Sequence, residues 1–262
     1  MELVVDGRRV FAATGGRPFD ASLPAVVFIH GAGMDHTVWQ LQARYFAHHG
    51  RSVLVLDLPG HGRSEGPALG SVGAAADWLL GVLDGVAVES AALVGHSMGA
   101  LVVLETAARA PARIERAALL GAAARLAVHP GLLAAARSGE RLANELITAW
   151  GYGRSAHLGG HRAPGLWMLG GGLALLEGEP AGALAADLAA CDAYQGALEA
   201  AARVRCPVLL LLGRADRMTP PKAAEPLAAG LRDCRMVVLD HAGHMMMIER
   251  PDETLDALRA FL

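Results

Sequence analysis

The stretch ALVGHSMGAL, residues 92 to 101, decides the fold of this chain. An apolar run breaks off at Gly95 and a helical pattern begins near Met98, so a strand passes into a helix within a few residues. Ser97 lies in that turn, between Gly95 and Gly99. A turn of this kind holds its serine in a strained backbone conformation and exposes the hydroxyl at the edge of a sheet. An ordinary serine in a glycine-flanked turn is the alternative, but the position between strand and helix favours a nucleophile.

Similar apolar runs recur along the chain, and each ends in Gly, Pro or a polar residue. The first segment, ELVVDGRRVFAAT, predicts two short strands joined at the turn dipeptide Asp6-Gly7. Later runs occupy residues 25–31, 52–60, 91–97, 114–121, 206–213 and 235–243. Helical patterns lie near 36–48, 70–85, 98–110, 220–231 and 251–262. Continuous apolar strands alternating with helices predict an open, largely parallel α/β sheet whose strands are buried on both faces.

One long segment departs from this alternation. Residues 123–203 are rich in Ala and Gly, and no strand pattern returns until Cys206. The segment is too long for a plain crossover, and open α/β sheets bind ligands beyond the carboxyl ends of their strands. We therefore expect a core domain of residues 1–122 and 204–262, with residues 123–203 forming a helical cap over the strand ends.

The composition excludes several classes of protein. A content of 53% hydrophobic and 19% charged residues excludes a disordered chain, and a net charge of −3 argues against nucleic-acid binding. Cys191, Cys206 and Cys234 lack metal or disulfide spacing, and neither a secretory signal nor a membrane-spanning segment is visible. We expect a soluble cytoplasmic protein without nucleic-acid or membrane partners.

A serine nucleophile needs a base within hydrogen-bond reach and a third group that orients the base. Asp216 follows one apolar strand in GRADRMTP, and His244 follows the next in HAGHMMMIERP. Asp216 alone could be a turn or helix-capping acid, and His244 alone a loop histidine. Because Ser97, Asp216 and His244 all follow strands of one parallel sheet, their joint occurrence favours a catalytic set at one sheet edge.

These residues resemble the α/β-hydrolase family, in the branch of small esterases, lactonases and C–C bond hydrolases. The similarity runs from about residue 25 to the C-terminus through HGAGMD, DLPGHGRS, GHSMG and the two motifs that carry Asp216 and His244. It implies a mostly parallel eight-stranded sheet with a helical cap after strand 6. It also implies that Ser97 is the nucleophile, His244 the base and then the acid, and Asp216 the group that orients the imidazole.

The same resemblance implies an oxyanion hole made by the backbone N–H groups of Ala32 and Met98. In DLPGHGRS (57–64), Asp57 and His61 could suggest a metal site, but they lie on an irregular loop with no further ligand group nearby. A structural role is the preferred interpretation for Asp57, and also for the side chains of the three histidines at positions 30, 61 and 96. No metal ion or organic cofactor is implied.

The predicted cap and the methionine run beside His244 supply candidate pocket residues. These are Met34, Trp150, Tyr152, Trp167 and Met245, with Met168 as a further candidate. They could form an adaptable apolar pocket, although ordinary core packing accounts for each of them equally well. Three cap residues, Arg154, His161 and Arg162, could bind a carboxylate or be solvated surface residues.

The leading functional hypothesis is a serine hydrolase that cleaves a small, moderately hydrophobic carboxylic ester or lactone through an acyl-enzyme. Two alternatives stay open: a C–C bond hydrolase of dienoate ring-cleavage products, and a slow-turnover binding protein with a hydrolase-like site. C–C hydrolases of the family usually carry a tryptophan directly after the catalytic histidine, where this chain has Met245. The expected partner is a small-molecule substrate, and the expected state is a monomer or homodimer.

Overall fold

Eight strands form one sheet in the computed structural model, which describes residues 1–159 and 165–262. The strands are β1 (Glu2–Val5), β2 (Arg8–Ala13), β3 (Ala25–Ile29), β4 (Ser52–Leu56), β5 (Ala91–His96), β6 (Ile114–Leu120), β7 (Val208–Gly213) and β8 (Cys234–Leu239). Their order across the sheet is β1-β2-β4-β3-β5-β6-β7-β8. The pairs β1–β2 and β2–β4 are antiparallel, and all the other pairs are parallel. The predicted mostly parallel eight-stranded sheet is confirmed.

The central strands are buried on both faces, as their continuous apolar sequences predict. All five residues of β3 are buried. Because successive side chains of a strand point to opposite faces, Val27 and Ile29 join one apolar cluster, and Val26 and Phe28 join the other. Each face of the sheet therefore needs its own layer of helices.

Twelve α-helices and one short 3₁₀ helix (His36–Trp39) are formed by the described residues. Those packed around the sheet are α1 (Gln40–His48), α2 (Val72–Gly85), α3 (Met98–Arg109), α9 (Ala197–Arg203), α10 (Pro221–Gly230), α11 (Met246–Glu249) and α12 (Pro251–Arg259). Buried residues of α2, α3, α9 and α10 join the cluster on one face. Those of α1, α11 and α12 join the cluster on the other face, so the sheet lies between two helical layers.

The chain between β6 and α9 forms five helices and no strand among its described residues. They are α4 (Pro130–Arg137), α5 (Arg141–Gly151), α6 (Arg154–His157), α7 (Met168–Gly178) and α8 (Ala183–Ala193). A third apolar cluster joins α4, α5, α7 and α8 through Leu132, Ile147, Leu176 and Leu188. By contrast, α9 packs against α3 and α10 beside the sheet. Among the helices of the described residues, none has both the length and the apolarity needed to cross a membrane.

Candidate active site

Ser97 occupies the turn between β5 and α3, where the sequence predicted an abrupt change from strand to helix. Its backbone has φ 54° and ψ −115°, a conformation with positive φ that residues other than glycine rarely adopt. The Ser97 N–H donates a 2.8 Å hydrogen bond to the carbonyl oxygen of Leu120 at the end of β6. The neighbouring strand therefore holds the turn in a conformation that costs free energy by itself.

The two glycines of the motif allow the backbone to pack closely around Ser97. A Cβ at Gly95 would collide with the Gly99 carbonyl group, and a Cβ at Gly99 would lie 2.5 Å from the His30 carbonyl oxygen. Helix α3 can begin directly against β3 and β5 only because both positions lack a side chain. The glycine spacing of GHSMG thus follows from the contact between the start of the helix and the sheet.

Asp216 and His244 meet beyond the carboxyl ends of β7 and β8. The Nδ1 of His244 lies 2.7 Å from Oδ2 of Asp216, and both side chains are buried. The carboxylate also accepts hydrogen bonds from the backbone N–H groups of Met218 and Thr219, at 2.8 and 2.9 Å. Burial alone would raise the pKa of Asp216, but the charge of His244 and these hydrogen bonds outweigh it and hold the pKa well below its usual range. Asp216 is therefore a carboxylate that accepts a hydrogen bond from the Nδ1–H of His244.

Thr219 is a member of this arrangement that sequence reasoning missed. Its hydroxyl donates a 2.7 Å hydrogen bond to Asp216 Oδ2 and lies 3.1 Å from His244 Nδ1. The motif GRADRMTP contains Thr219, but a threonine directly before proline is also common where a helix begins. In a common type of turn, an aspartate side chain accepts hydrogen bonds from backbone N–H groups two and three positions later. That spacing was the signal in the sequence that could have placed Thr219 beside Asp216.

The other ring nitrogen of His244 is free of protein partners. Nε2 is buried and has no hydrogen-bond partner among the described residues. The ring of His96, the residue before Ser97, lies 4.7 Å from that of His244, centroid to centroid. Ser97 and His244 also line one cavity of about 330 Å³. The arrangement thus places the imidazole of His244 and the side chain of Ser97 at the wall of the same cavity.

Ala32 lies in the loop after β3, and Met98 directly follows Ser97 at the start of α3. Ala32 follows β3 and lines the cavity. Met98 is the first residue of α3, so its N–H has no acceptor within the helix, while its side chain is buried in a core cluster. The helix dipole adds partial positive charge at this end of α3. A negative oxygen beside Ser97 would be stabilised by this end of the helix.

Four of the five predicted pocket residues line the cavity, and one does not. Met34, Trp150, Tyr152 and Met245 contribute to its wall. Trp167 is 71% exposed, and its ring lies over Gly170 in the first turn of α7. The prediction that Trp167 lines the pocket is therefore corrected. Met168 is buried in the core cluster that contains Phe28.

Of the three cationic candidates in the predicted cap, only Arg154 lies within the described residues. Arg154 is exposed at the start of α6 and is not part of the cavity wall. His161 and Arg162 lie outside the described residues. Arg217, which sequence reasoning did not select, does line the cavity beside Asp216.

Asp57, which raised the question of a metal site, and the buried His30 both have hydrogen-bond partners in the protein. Asp57 accepts hydrogen bonds from the backbone and ring of His36 and from the Arg63 N–H, all at 2.8–2.9 Å. His30 bonds the Gly31 carbonyl oxygen through Nδ1 and accepts the Leu58 N–H at Nε2, and burial lowers its pKa to about 4. No group of three His, Cys, Asp or Glu side chains among the described residues is arranged to hold a metal ion.

Comparison with known proteins relates this fold and site to one family. Residues 26–257 match the family model described as the alpha/beta hydrolase family. A pimeloyl-[acyl-carrier protein] methyl ester esterase of Methylococcus capsulatus is 30% identical over 276 residues, covering 97% of this chain and 98% of that protein. A hydrolase of (E)-2-((N-methylformamido)methylene)succinate from Acinetobacter baylyi is 25% identical over 90% of this chain and 89% of its own. The crystal structure of an enol-lactonase from Burkholderia xenovorans superposes with a TM-score of 0.88 at 25% identity, covering 100% of this chain and 99% of that one.

Proposed function

The chain belongs to the alpha/beta hydrolase family, and from that premise we propose that it is a serine hydrolase of small carboxylic esters or lactones. The observation that carries the proposal is the 2.7 Å contact between Asp216 and His244, whose second ring nitrogen has no partner among the described residues, with His244 and Ser97 lining one cavity. A carboxylate, an imidazole and a hydroxyl in this order form a proton-transfer chain. The relatives named as an esterase and an enol-lactonase support the same class of bond.

In the proposed reaction, His244 Nε2 removes the Ser97 hydroxyl proton while Oγ attacks the substrate carbonyl carbon. The carbonyl oxygen becomes negative and accepts hydrogen bonds from the Ala32 and Met98 N–H groups; one such donor typically contributes about 10²- to 10³-fold in rate. Asp216 stabilises the imidazolium and keeps the Nδ1 proton in place. The imidazolium then protonates the leaving alcohol, which leaves an acyl group on Ser97.

Water then hydrolyses this acyl-enzyme, with water in the place of the alcohol and His244 again transferring the proton. His244 Nε2 accepts a proton from the water as its oxygen attacks the acyl carbon, and returns a proton to Ser97 as the acid departs. No metal ion or organic cofactor takes part in the proposed steps. For a lactone substrate, the alcohol and the acid belong to the same product molecule.

The cavity supports a small, moderately hydrophobic substrate. Its volume is about 330 Å³, and Met34, Ile147, Leu176 and Met245 are among the side chains that form its wall. Among the described residues that form this wall, none is Asp or Glu. We propose that residues 123–203 act as the cap of this cavity, as the sequence predicted, because described residues of this segment, on α4, α5, α7, α8 and the loop before α4, contribute most of the wall.

A second candidate reaction is hydrolysis of a carbon–carbon bond in an unsaturated acid. The relative from Acinetobacter baylyi, which is named for a substituted methylene succinate, supports an unsaturated carboxylic acid as the substrate class. Arg217, at the cavity wall, could bind the carboxylate of such a substrate. Met245 in place of tryptophan after His244 argues for the ester reaction as the first choice.

Turnover of p-nitrophenyl acetate and butyrate by the wild type and by Ser97→Ala tests the proposal. A burst in the wild type and its loss in Ser97→Ala would support the esterase. No ester turnover, with slow covalent labelling of Ser97 by a fluorophosphonate, would instead favour a binding protein that retains the site. Faster turnover of a dienoate ketone than of any ester would favour the carbon–carbon reaction.

A further inference from the structure

Asp187, on α8, joins three separate parts of the chain through one oxygen atom. Its Oδ2 accepts a 2.9 Å hydrogen bond from the Gly33 N–H, in the loop after β3. The same oxygen lies 2.8 Å from Nε2 of His61, in the loop after β4. A helix between β6 and β7 is therefore bound directly to two loops at the carboxyl edge of the sheet.

The pair formed by Asp187 and His61 is almost completely buried. Only 2% and 1% of the two side chains are exposed. A buried carboxylate is costly unless it is paired and hydrogen-bonded. Burial by itself lowers the pKa of His61, but the hydrogen bond and charge of Asp187 outweigh burial, and the net pKa is raised. The interaction is thus a buried, charge-assisted hydrogen bond, which fixes the carboxylate firmly in position.

The Gly33 N–H belongs to the peptide unit that directly follows Ala32, the candidate oxyanion donor. Gly33 has φ +63° and lies so close to α7 and α8 that a Cβ there would be 2.9 Å from Leu184 and 3.1 Å from Leu176. Apart from this packing, the hydrogen bond from the Gly33 N–H to Asp187 is a polar contact, among the described residues, that orients the Ala32–Gly33 peptide, which is joined to the peptide that carries the Ala32 N–H. Oxyanion donors act only when they point at the position the developing charge will occupy.

We propose that Asp187 is a positioning residue for the oxyanion hole: its carboxylate, held by His61, orients the loop that presents the Ala32 N–H. The inference rests on the proposed function, because it requires Ala32 to be a donor in an acyl-transfer reaction. It also means that the oxyanion hole is fully formed only when α8 is packed in place. Loss of Asp187 should therefore weaken stabilisation of the transition state, which lowers kcat, while substrate binding to the cavity wall changes little.

The test compares Asp187→Ala, Asp187→Asn and Asp192→Ala with the wild type, using p-nitrophenyl butyrate. Asp192 is the matched control, because it lies on the same helix and its Oδ1 binds the Val128 N–H at 3.1 Å, away from the oxyanion loop. Asparagine at 187 can keep an oxygen at the position that accepts both hydrogen bonds. Thermal melting establishes that each variant is folded, and Asp187→Ser replaces Asp187→Ala if alanine prevents folding.

We expect kcat of Asp187→Ala to fall about 10- to 100-fold, part of the effect of one oxyanion donor, with KM changed less than threefold. Asp187→Asn should recover most of the activity, and Asp192→Ala should keep kcat within threefold of the wild type. The inhibition constant of a trifluoromethyl ketone, whose adduct with Ser97 places a negative oxygen in the hole, should rise in Asp187→Ala by about the same factor as kcat falls.

Two results would overturn the inference. One is a folded Asp187→Ala variant with kcat within twofold of the wild type. The other is an equal loss of kcat in Asp192→Ala, which would show that any weakening of the attachment of α8 has the same effect. Failure of the proposed function is recognised separately, because the wild type itself would then neither hydrolyse the ester nor bind the ketone.

Discussion

The backbone N–H of His244 donates a 2.7 Å hydrogen bond to the carbonyl oxygen of Gly151, the last residue of α5. The loop that carries the candidate base is thus attached to a helix of the predicted cap. Glu249 reinforces this attachment, because its carboxylate accepts the N–H groups of Gly153 at 2.8 Å and Gly243 at 3.0 Å. Two of the loops that carry candidate catalytic groups, the one that leads to His244 and the one that contains Ala32, are therefore each bound by a buried carboxylate.

Glu249→Gln should destabilise the protein and lower kcat. The amide keeps one acceptor oxygen, so either the Gly153 or the Gly243 N–H faces an NH₂ group and stays unpaired. An unpaired buried donor costs about 1–3 kcal/mol of unfolding free energy. Urea unfolding and ester turnover measure the two effects. Glu225→Gln, an exposed change on α10, should stay within about 0.5 kcal/mol of the wild type; an equally small effect in Glu249→Gln would contradict the assigned role.

Asp216→Asn should reduce kcat by about 10³- to 10⁴-fold, as expected when an orienting carboxylate becomes an amide. The amide NH₂ would face His244 Nδ1 and favour the tautomer with the proton on Nε2, which cannot accept the Ser97 proton. The comparison is with Asp240→Asn, since Asp240 is an exposed residue paired with Arg214. A loss of less than tenfold in Asp216→Asn would mean that Asp216 does not orient the base.

Thr219→Val should lower kcat by about tenfold while Thr219→Ser stays near the wild type. Valine has the shape of threonine but lacks the hydroxyl that donates to Asp216 Oδ2, and one hydrogen bond contributes about 1–1.5 kcal/mol, or roughly a factor of ten in rate. Steady-state kinetics at several pH values measures the change. Equal activity of the valine and serine variants would assign Thr219 a packing role only.

The pattern of the sequence predicts most of the sheet, because buried parallel strands leave continuous apolar runs. The apolar run at 206–213 corresponds to β7 (Val208–Gly213), and the helical pattern at 98–110 corresponds to α3 (Met98–Arg109). The proximity of Asp216 and His244, and their place beside the cavity that Ser97 lines, likewise follows from strand ends that share one edge of the sheet. These features depend on local patterns and on one topological rule.

Contacts between distant segments leave no such pattern. His61 and Asp187 are 126 positions apart in the chain, and nothing in DLPGHGRS indicates a partner on α8. Trp167 was assigned to the pocket because its neighbours are apolar, yet it covers a helix turn at the surface. Which side of a cap helix faces the cavity depends on tertiary packing, which periodicity in an Ala- and Gly-rich segment does not encode.

Glu179→Gln should stabilise the protein above neutral pH and have no effect at pH 4. Burial raises the pKa of Glu179 to about 7, although the Gly62 N–H and His61 act in the opposite direction. Between about pH 4.5 and 7 the unfolded chain loses this proton before the folded chain does, so stability falls as pH rises. The side chain is only half-buried and screened by solvent, so the gain in the variant at pH 8 should be about 1 kcal/mol. Urea unfolding at both pH values measures it, and an equal gain at pH 4 would contradict the ionisation.

The rate at which a fluorophosphonate labels Ser97 in His244→Ala tests the central claim most directly. If His244 Nε2 removes the hydroxyl proton, labelling should slow by about 10²- to 10⁴-fold, the usual contribution of a general base. The exposed His48→Ala variant should label at the wild-type rate. Labelling of Ser97 at the wild-type rate in a folded His244→Ala variant would contradict the account.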